Sequence, residues 1–408
     1  MPTVFPALDE DPPAPSVRSR FRHVALTVAA LVVLAGAAVG AWAAYGAVSG
    51  GSGAASGKVL AFNTLQQLVL ANPDGSKPVA FSKLGIIGGH NAYVAPDGRV
   101  MVTDAGDVVT LEDGRPVSHS TALYEPLAGG GFTCSGVGPC YATNGEIDSS
   151  YPFADGAADV LFTLGYDPRK LQNLIKLVPT GGGRAQQLGE GVDYAGDPQQ
   201  PAAFVSVAAR QEPSTVRIGE RAGSSTPAVS AVEHVTVGGA ATPVVTAAQI
   251  TKDLKIAGHP ALSLGLAPDP TGKLLALDVA DANSSHDFGV AIYTRQGRFV
   301  GYLAIGAAGP VSWSPSGNQL LINTANGIVA WTPGRPPQRI ALPPSVAMLQ
   351  GCAWSPDGTQ AACTGYPRTP NNPDLNYTPP TPEWVLVDVP HKTAKLCPAH
   401  GQPLLWES

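Results

Sequence analysis

Five cysteines, eight histidines and a thin scatter of acidic residues are the side chains of this 408-residue chain best suited to bind metals, move protons or form crosslinks. Cys134 and Cys140 bracket a short Gly-Pro loop that a disulfide can close. Cys352 and Cys363 flank a WSPDG turn symmetrically, which predicts facing positions on adjacent strands. Cys397 is left over. Neither spacing is that of a CxxC redox pair or a zinc cluster, so structural crosslinks are the expected chemistry. Asp278, Asp281, Asn283 and Asp287 crowd one stretch and offer oxygen ligands of the kind calcium takes, although without EF-hand spacing. The plain alternative is a solvated acidic loop. No GxSxG, HExxH, P-loop or GxGxxG pattern occurs, which removes the enzyme classes that leave a local signature. Gly129 to Gly131 and Gly181 to Gly183 read as turn glycines, since neither opens a helix.

The elements that must position these residues are hairpins. Val311 to Thr324 (VSWSPSGNQLLINT) and Cys352 to Thr364 (CAWSPDGTQAACT) are near copies, each a strand ending in Trp, a Pro-containing turn closed by Gly, and a second apolar strand. Weaker copies lie at Asn91 to Asp104, Val192 to Ala208 and Ala261 to Val279. A second hairpin type alternates with the first, at Leu68 to Phe81, Val108 to Ser120, Leu174 to Leu188, Val216 to Val229, Val290 to Ile305, Ile328 to Leu342 and Trp384 to Cys397. Two hairpins in series make a four-stranded antiparallel sheet, and such sheets repeating every 40 to 45 residues or so are the signature of propeller blades. The count predicts an all-β, seven-bladed β-propeller, with six or eight blades left open. The first unit lacks one strand, because Lys58 to Asn63 runs straight into Leu68 to Phe81. Pro403 to Trp406 is the segment expected to supply it and so remove the exposed sheet edges.

The WSPDG turns resemble those of the TolB-type family of β-propeller repeats, which is close in architecture to WD40 propellers. LVLANPDGSKPVAF and LIKLVPTGGGRAQQL are similar to that family's outer hairpin. The resemblance covers most of residues 58 to 408 and is strongest in the units carrying Trp313 and Trp354. It implies fold rather than activity, since propellers host scaffolds and enzymes alike. The Trp-Asp pair that ends many WD40 blades is missing.

In a propeller the connections from second to third strand, and from blade to blade, emerge on one face. Gly165 to Asn173, Ser230 to Pro260, Ala280 to Phe288 and Tyr366 to Glu383 are expected there, and long loops in compact domains are more often functional than accidental. Tyr166, His286, Tyr366 and Tyr377 are the candidate contact residues on that face. His90 and Asp193 lie next to innermost strands and are candidates for the central channel. A metal-centred propeller enzyme needs several converging ligands, and the scattered histidines do not supply them, so no metal and no catalytic residue is expected.

Val24 to Val48 has no charged residue, enough helix to cross a bilayer core of about 30 Å. Arg18, Arg20, Arg22 and His23 precede it, which places the N-terminus in the cytoplasm and the propeller outside. A signal peptide is the competing reading, with Ala41-Trp42-Ala43 as a small-x-small site, but its apolar region would be shorter. Gly36 and Gly40 form a GxxxG pair on which two spans can pack as a homodimer. Residues 1 to 23 form a tail whose Pro-rich first part is expected to be disordered, and Ser49 to Gly57 a flexible tether. All five cysteines follow the span, in the compartment where disulfides persist. The net charge of −6, with no basic cluster, argues against nucleic acid and anionic lipid as partners. The expected protein is a membrane-anchored binding module of a bacterial envelope for a protein, peptide or glycan partner. A propeller enzyme or a small-ligand sensory ectodomain is the alternative.

Overall fold

The computed structural model describes residues 57–62, 67–81, 84, 87, 91–124, 127, 132–134, 140–142, 147, 151–167, 172–208, 229–238, 241–255, 260–281, 287–305, 308–324, 327–367 and 382–407. The chain divides into two units, Met1–Gly51 and Ser52–Ser408, and the described residues all belong to the second. The expected span, Val24 to Val48, lies outside them. Among the described residues no helix is long and apolar enough to cross a membrane.

Seven four-stranded antiparallel sheets make up the domain. Blade 1 opens with β1 (Val59–Phe62), β2 (Leu68–Ala71) and β3 (Val79–Ala80). Blade 2 is β4 (Ala92–Val94), β5 (Val100–Thr103), β6 (Val108–Glu112) and β7 (Arg115–Ser120). A separate two-stranded hairpin follows, β8 (Phe132–Cys134) and β9 (Cys140–Ala142). Blade 3 takes β10 (Phe153–Ala154), β11 (Asp159–Asp167), β12 (Gln172–Pro179) and β13 (Gln186–Gly191). Blade 4 takes β14 (Asp193–Gly196), β15 (Ala202–Ala208), β16 (Val229–Thr236) and β17 (Thr242–Thr246), followed by a helix, α1 (Ala247–Leu254). Blade 5 comprises β18 (Pro260–Pro268), β19 (Leu274–Asp281), β20 (Asp287–Thr294) and β21 (Phe299–Leu303). Blade 6 comprises β22 (Ala308–Trp313), β23 (Leu320–Thr324), β24 (Gly327–Trp331) and β25 (Gln338–Ile340). Blade 7 comprises β26 (Val346–Trp354), β27 (Gln360–Pro367), β28 (Glu383–Asp388) and β29 (Thr393–His400). The last strand, β30 (Gln402–Trp406), returns to blade 1 and pairs antiparallel with β1, Val59 opposite Trp406 and Phe62 opposite Gln402. The ring is therefore closed by the segment expected to close it.

The two near-identical repeats form near-identical turns. Ser314 and Ser355 each donate a backbone N–H across the turn at 2.8 Å, to Gln319 and Gln360, and accept one from Gly317 and Gly358 at 2.8 Å. Both glycines have positive φ, 68° and 69°, a conformation that favours glycine. The tryptophans before these turns pin blade to blade. Trp354 Nε1 donates to Ser312 Oγ at 3.0 Å, and Trp313 Nε1 donates to the Ala267 carbonyl at 2.9 Å. Both indoles are about 95% buried, each in the apolar layer between neighbouring sheets. A third tie joins blades 4 and 5, where the buried Asp197 carboxylate receives His234 Nε2 at 2.8 Å, Gln199 N at 2.9 Å and the Arg295 guanidinium.

Two expectations need correction. The second hairpin of blade 4 is β16 and β17, turning at Gly238 (φ 64°), not Val216 to Val229. Residues 209–228, between β15 and β16, fall outside the described residues. Ser230 to Pro260 is accordingly not a loop. Its VSAVEHVT run is β16, paired with β15 on one side and β17 on the other, and α1 follows, capped by Thr246 Oγ1 and closed by Lys255 at φ 54°. α1 buries Ile250 and Leu254 in the layer that also holds Tyr293, and Gln249 Nε2 ties it to the Gly297 carbonyl of blade 5. Within Gly165 to Asn173 and Ala280 to Phe288 the described residues are strand ends, since β11 runs to Asp167, β12 begins at Gln172, β19 runs to Asp281 and β20 begins at Asp287, while residues 168–171 and 282–286 lie outside the described residues.

Candidate functional site

The innermost strand of each blade turns one edge toward the ring axis, so backbone N–H and C=O groups line the centre. Unpaired, they would carry a desolvation cost. Side chains from other blades cap several of them. Leu266 N donates to Asp193 Oδ2 at 3.1 Å, and Leu349 N donates to Asn323 Oδ1 at 3.2 Å. The Gln402 amide caps both groups of one residue, accepting from Ala92 N at 3.0 Å and donating to Ala92 O at 2.9 Å. Gly196 N donates to the Tyr151 carbonyl at 2.7 Å. The Tyr151 hydroxyl donates at 2.7 Å to the carbonyl of Val311 on blade 6. Tyr151 precedes β10 of blade 3, and blades 3 and 6 are as far apart as a seven-membered ring allows. The side chain therefore bridges the axis. Its burial raises the phenol above its ordinary titration range.

A cavity of about 400 Å³ remains around the axis. All seven innermost strands contribute to it, through Ala92, Phe153, Gly196, Pro268, Ser312, Cys352 and Pro403. Asn91, Asp104, Gln350 and Gln402 are among the polar side chains that line it. The volume falls in the range of small-molecule pockets.

The ends of the ring differ. Turns from first to second strand and from third to fourth are short among the described blades, such as 95–99, 113–114, 197–201 and 355–359. The opposite end carries residues 209–228 and 368–382 between second and third strands, and 81–91 and 121–152 between blades. Tyr366 sits at that end of β27, its hydroxyl donating to Gln350 Oε1 at 2.7 Å on β26, with partial burial raising its titration. Beside it Met348, 40% exposed, stands opposite in the strand pair. A second polar group at this end went unread in the sequence. Asp107, with a side chain 1% exposed, holds His119 Nε2 at 2.5 Å and accepts from the Tyr124 hydroxyl at 3.0 Å. Asp107 and His119 are separated by β6, a turn and most of β7, and Tyr124 lies beyond β7, so the blade geometry brings them together.

Of the residues picked from sequence, Asp193 does lie on an innermost strand, where it also accepts Tyr194 N at 2.8 Å and caps the edge of blade 5. Tyr166 lies in β11, opposite Asn173. His90, His286 and Tyr377 fall outside the described residues. Cys352 and Cys363 are directly opposed and disulfide-bonded, with Cα atoms 4.1 Å apart. Cys134 and Cys140 are opposed across the β8–β9 pair. Cys397 is a buried free thiol. Asp278 is a buried strand residue of β19 beside Gly265, while Asp281 ends that strand, Asp287 begins β20 and Asn283 is not among the described residues. Among the described residues no group of three or more His, Cys, Asp or Glu is placed to hold a metal ion.

Strand order and closure define a seven-bladed β-propeller with an elaborated end and an axial cavity. No family model matches the chain, and no curated protein matches it. Among solved structures it is similar to TolB from Acinetobacter baumannii at 13% identity, over 90% of this chain and 70% of that one, with a TM-score of 0.38. A functionally unknown protein from Desulfotomaculum acetoxidans is similar at 10% identity over 86% of this chain and 98% of that one, TM-score 0.46. An oligogalacturonate lyase from Vibrio parahaemolyticus is similar at 8% identity over 75% of this chain and 87% of that one, TM-score 0.44. Likeness at this level carries no argument about activity, and the blade count rests on the strand topology alone.

Proposed function

We propose that the chain is a single-pass, outward-facing envelope protein whose propeller binds a protein, peptide or glycan partner at its elaborated end. The asymmetry of the ring carries this reading. A propeller needs only short turns at both ends to close, yet the long connections 209–228, 368–382 and 121–152 all leave from one end. Binding residues concentrate on loops held by a rigid scaffold. Tyr366 and Met348 add an aromatic and a flexible apolar contact at the same end. The uncharged run Val24 to Val48 after three arginines supports the anchor, and the Cys352–Cys363 disulfide supports an oxidising compartment for the propeller.

Mild crosslinking of the intact protein in its native membrane, followed by mass spectrometry, identifies the partner. Replacing 368–382 by a tight turn is expected to lower its recovery severalfold with no change in melting temperature. Undiminished recovery would remove that segment from the binding end. A cysteine introduced within residues 1–17 should resist a membrane-impermeant thiol reagent on intact cells, and labelling there overturns the proposed topology.

A further inference from the structure

Taking the elaborated end as the binding surface, we infer that it receives a lysine or arginine side chain of a protein partner on the ring of Tyr124, a proposal that rests on the reading above. Among the described residues Tyr124 and Met348 are the large apolar side chains exposed at this end, and the others, Val79, Val117 and Val300, lie on outermost strands. Tyr124 is 42% exposed, yet its ring is held at one edge and at its hydroxyl. A Cβ added at Gly106, where φ is 94°, would come within 3.3 Å of Tyr124 Cδ1, so the glycine lets the ring lie against the turn. The hydroxyl donates at 3.0 Å to Asp107 Oδ1, the oxygen that also holds His119 Nε2 at 2.5 Å. Asp107 is fixed in turn, its backbone N–H donating to Thr103 Oγ1 at 3.1 Å. Leu123 and Leu127, both buried in the layer between blades 2 and 3, secure the segment. The ring is therefore ordered before a partner arrives, which spares the cost of ordering it on binding. Its hydroxyl proton is committed inward, so what Tyr124 offers a partner is the negative face of the ring, which attracts cations. The charges around it act in the same sense. Asp167, Asp281, Asp287 and Glu383 end strands at the elaborated end, and no described strand end there is Lys or Arg. Lys252 and Lys255 sit on α1, with blades 4 and 5 and not at the corner that holds Tyr124. The short turns of the opposite end mix both signs, as with Asp97 and Arg99. An end of one sign steers a segment of the opposite sign toward it. A neutral glycan gains nothing from that field.

The test titrates the full chain with fluorescent hexa-arginine and hexalysine, against hexaglutamate and maltohexaose at matched ionic strength, read by polarisation. Saturable binding of at least one cationic peptide is expected, with hexaglutamate and maltohexaose far weaker. Tyr124→Leu keeps every charge and most of the bulk but removes the aromatic face, and should weaken that peptide by about fivefold or more. Tyr124→Phe keeps the ring and should bind within about twofold of the natural protein. The inference is overturned if neither cationic peptide binds, if hexaglutamate or maltohexaose binds as tightly, or if Tyr124→Leu, folded by its melting curve, binds unchanged. Equal losses in Tyr124→Leu and Tyr124→Phe overturn it too, because the hydroxyl and not the ring would then carry the contact. A diazirine on the hexa-arginine peptide gives a measurement that needs no variant: its adduct should map beside Tyr124, and an adduct confined to the short-turn end is the overturning result. Recovery of the native partner by crosslinking tells the two claims apart. If recovery falls on shortening 368–382 but not in Tyr124→Leu, the binding end stands and the Tyr124 contact fails; if it falls in neither, both fail.

Discussion

Cys397 shows how burial alone sets the chemistry of a residue. It lies on β29, paired with Trp384, and desolvation pushes its thiol up to about 11. At pH 8 it is almost wholly protonated, and the thiolate is the reactive species. It should therefore resist iodoacetamide in the folded protein and react on denaturation; rapid native labelling refutes the buried assignment. Burial of the neutral thiol also makes stability depend on pH. The unfolded thiol ionises near its ordinary value of 9, so the contribution of the neutral buried form is complete below pH 9 and is lost as pH rises toward 11. The loss is at most about 2 to 3 kcal/mol, since each pH unit between the unfolded and folded values is worth about 1.4 kcal/mol. Urea midpoints should fall further between pH 8 and pH 10.5 for the natural protein than for Cys397→Ala, and an equal fall would exclude this residue as the cause. The pairing of Cys352 with Cys363 was legible because symmetric spacing about a Gly turn forces opposition. The capping role of Asp193 was not, since the groups it meets, such as Leu266 N, belong to another blade.

At the scale of the element, the WSPxG hairpins combine a local turn with a long-range pin. The turn is written in the sequence: Ser, Pro and a glycine at positive φ. The pin, from Trp354 Nε1 to Ser312 Oγ, appears only when blades 6 and 7 stack. Trp354→Phe keeps most of the apolar burial and removes one buried hydrogen bond, a cost of about 1 kcal/mol. Trp354→Ala also opens a cavity and should cost about 3 to 5 kcal/mol. Chemical denaturation of the two variants checks the split, and equal losses would mean that the hydrogen bond, not the packing, dominates. Hairpins lacking this double signal were harder to read. Blade 4's outer pair, β16 and β17, has neither Trp nor Pro-Gly turn, and the Gly- and Pro-bearing run before it drew the strand assignment to Val216 to Val229. Blade 3 hides its innermost strand, with only Phe153–Ala154 paired before the turn at Gly156.

At the scale of the molecule, seven sheets form one ring only if the two ends of the domain meet in a single blade. Blade 1 depends on this, because β1 would otherwise be a free edge and Leu60, Phe62, Leu68 and Leu70 would lose the cover of Leu404 and Leu405. Three further contacts lock the junction. Gln402 caps Ala92 of blade 2, Glu407 N donates to Lys58 O at 2.6 Å, and Arg115 pairs with Glu407 at 2.7 Å. The last is exposed on the arginine side and contributes little. Strand pairing and the Gln402 cap therefore dominate. Gln402→Ala leaves Ala92 N and O without their partner inside a closed ring and should lower stability by about 1 to 3 kcal/mol. Deleting residues 402–408 removes β30 altogether, exposing the edge of β1 and apolar surface on blades 1 and 2. The expected result is aggregation, or a melting temperature far below that of Gln402→Ala, read by scanning calorimetry and size-exclusion chromatography. A β30 deletion that stays monomeric and melts no lower than Gln402→Ala would show that six complete blades hold the seventh without strand closure.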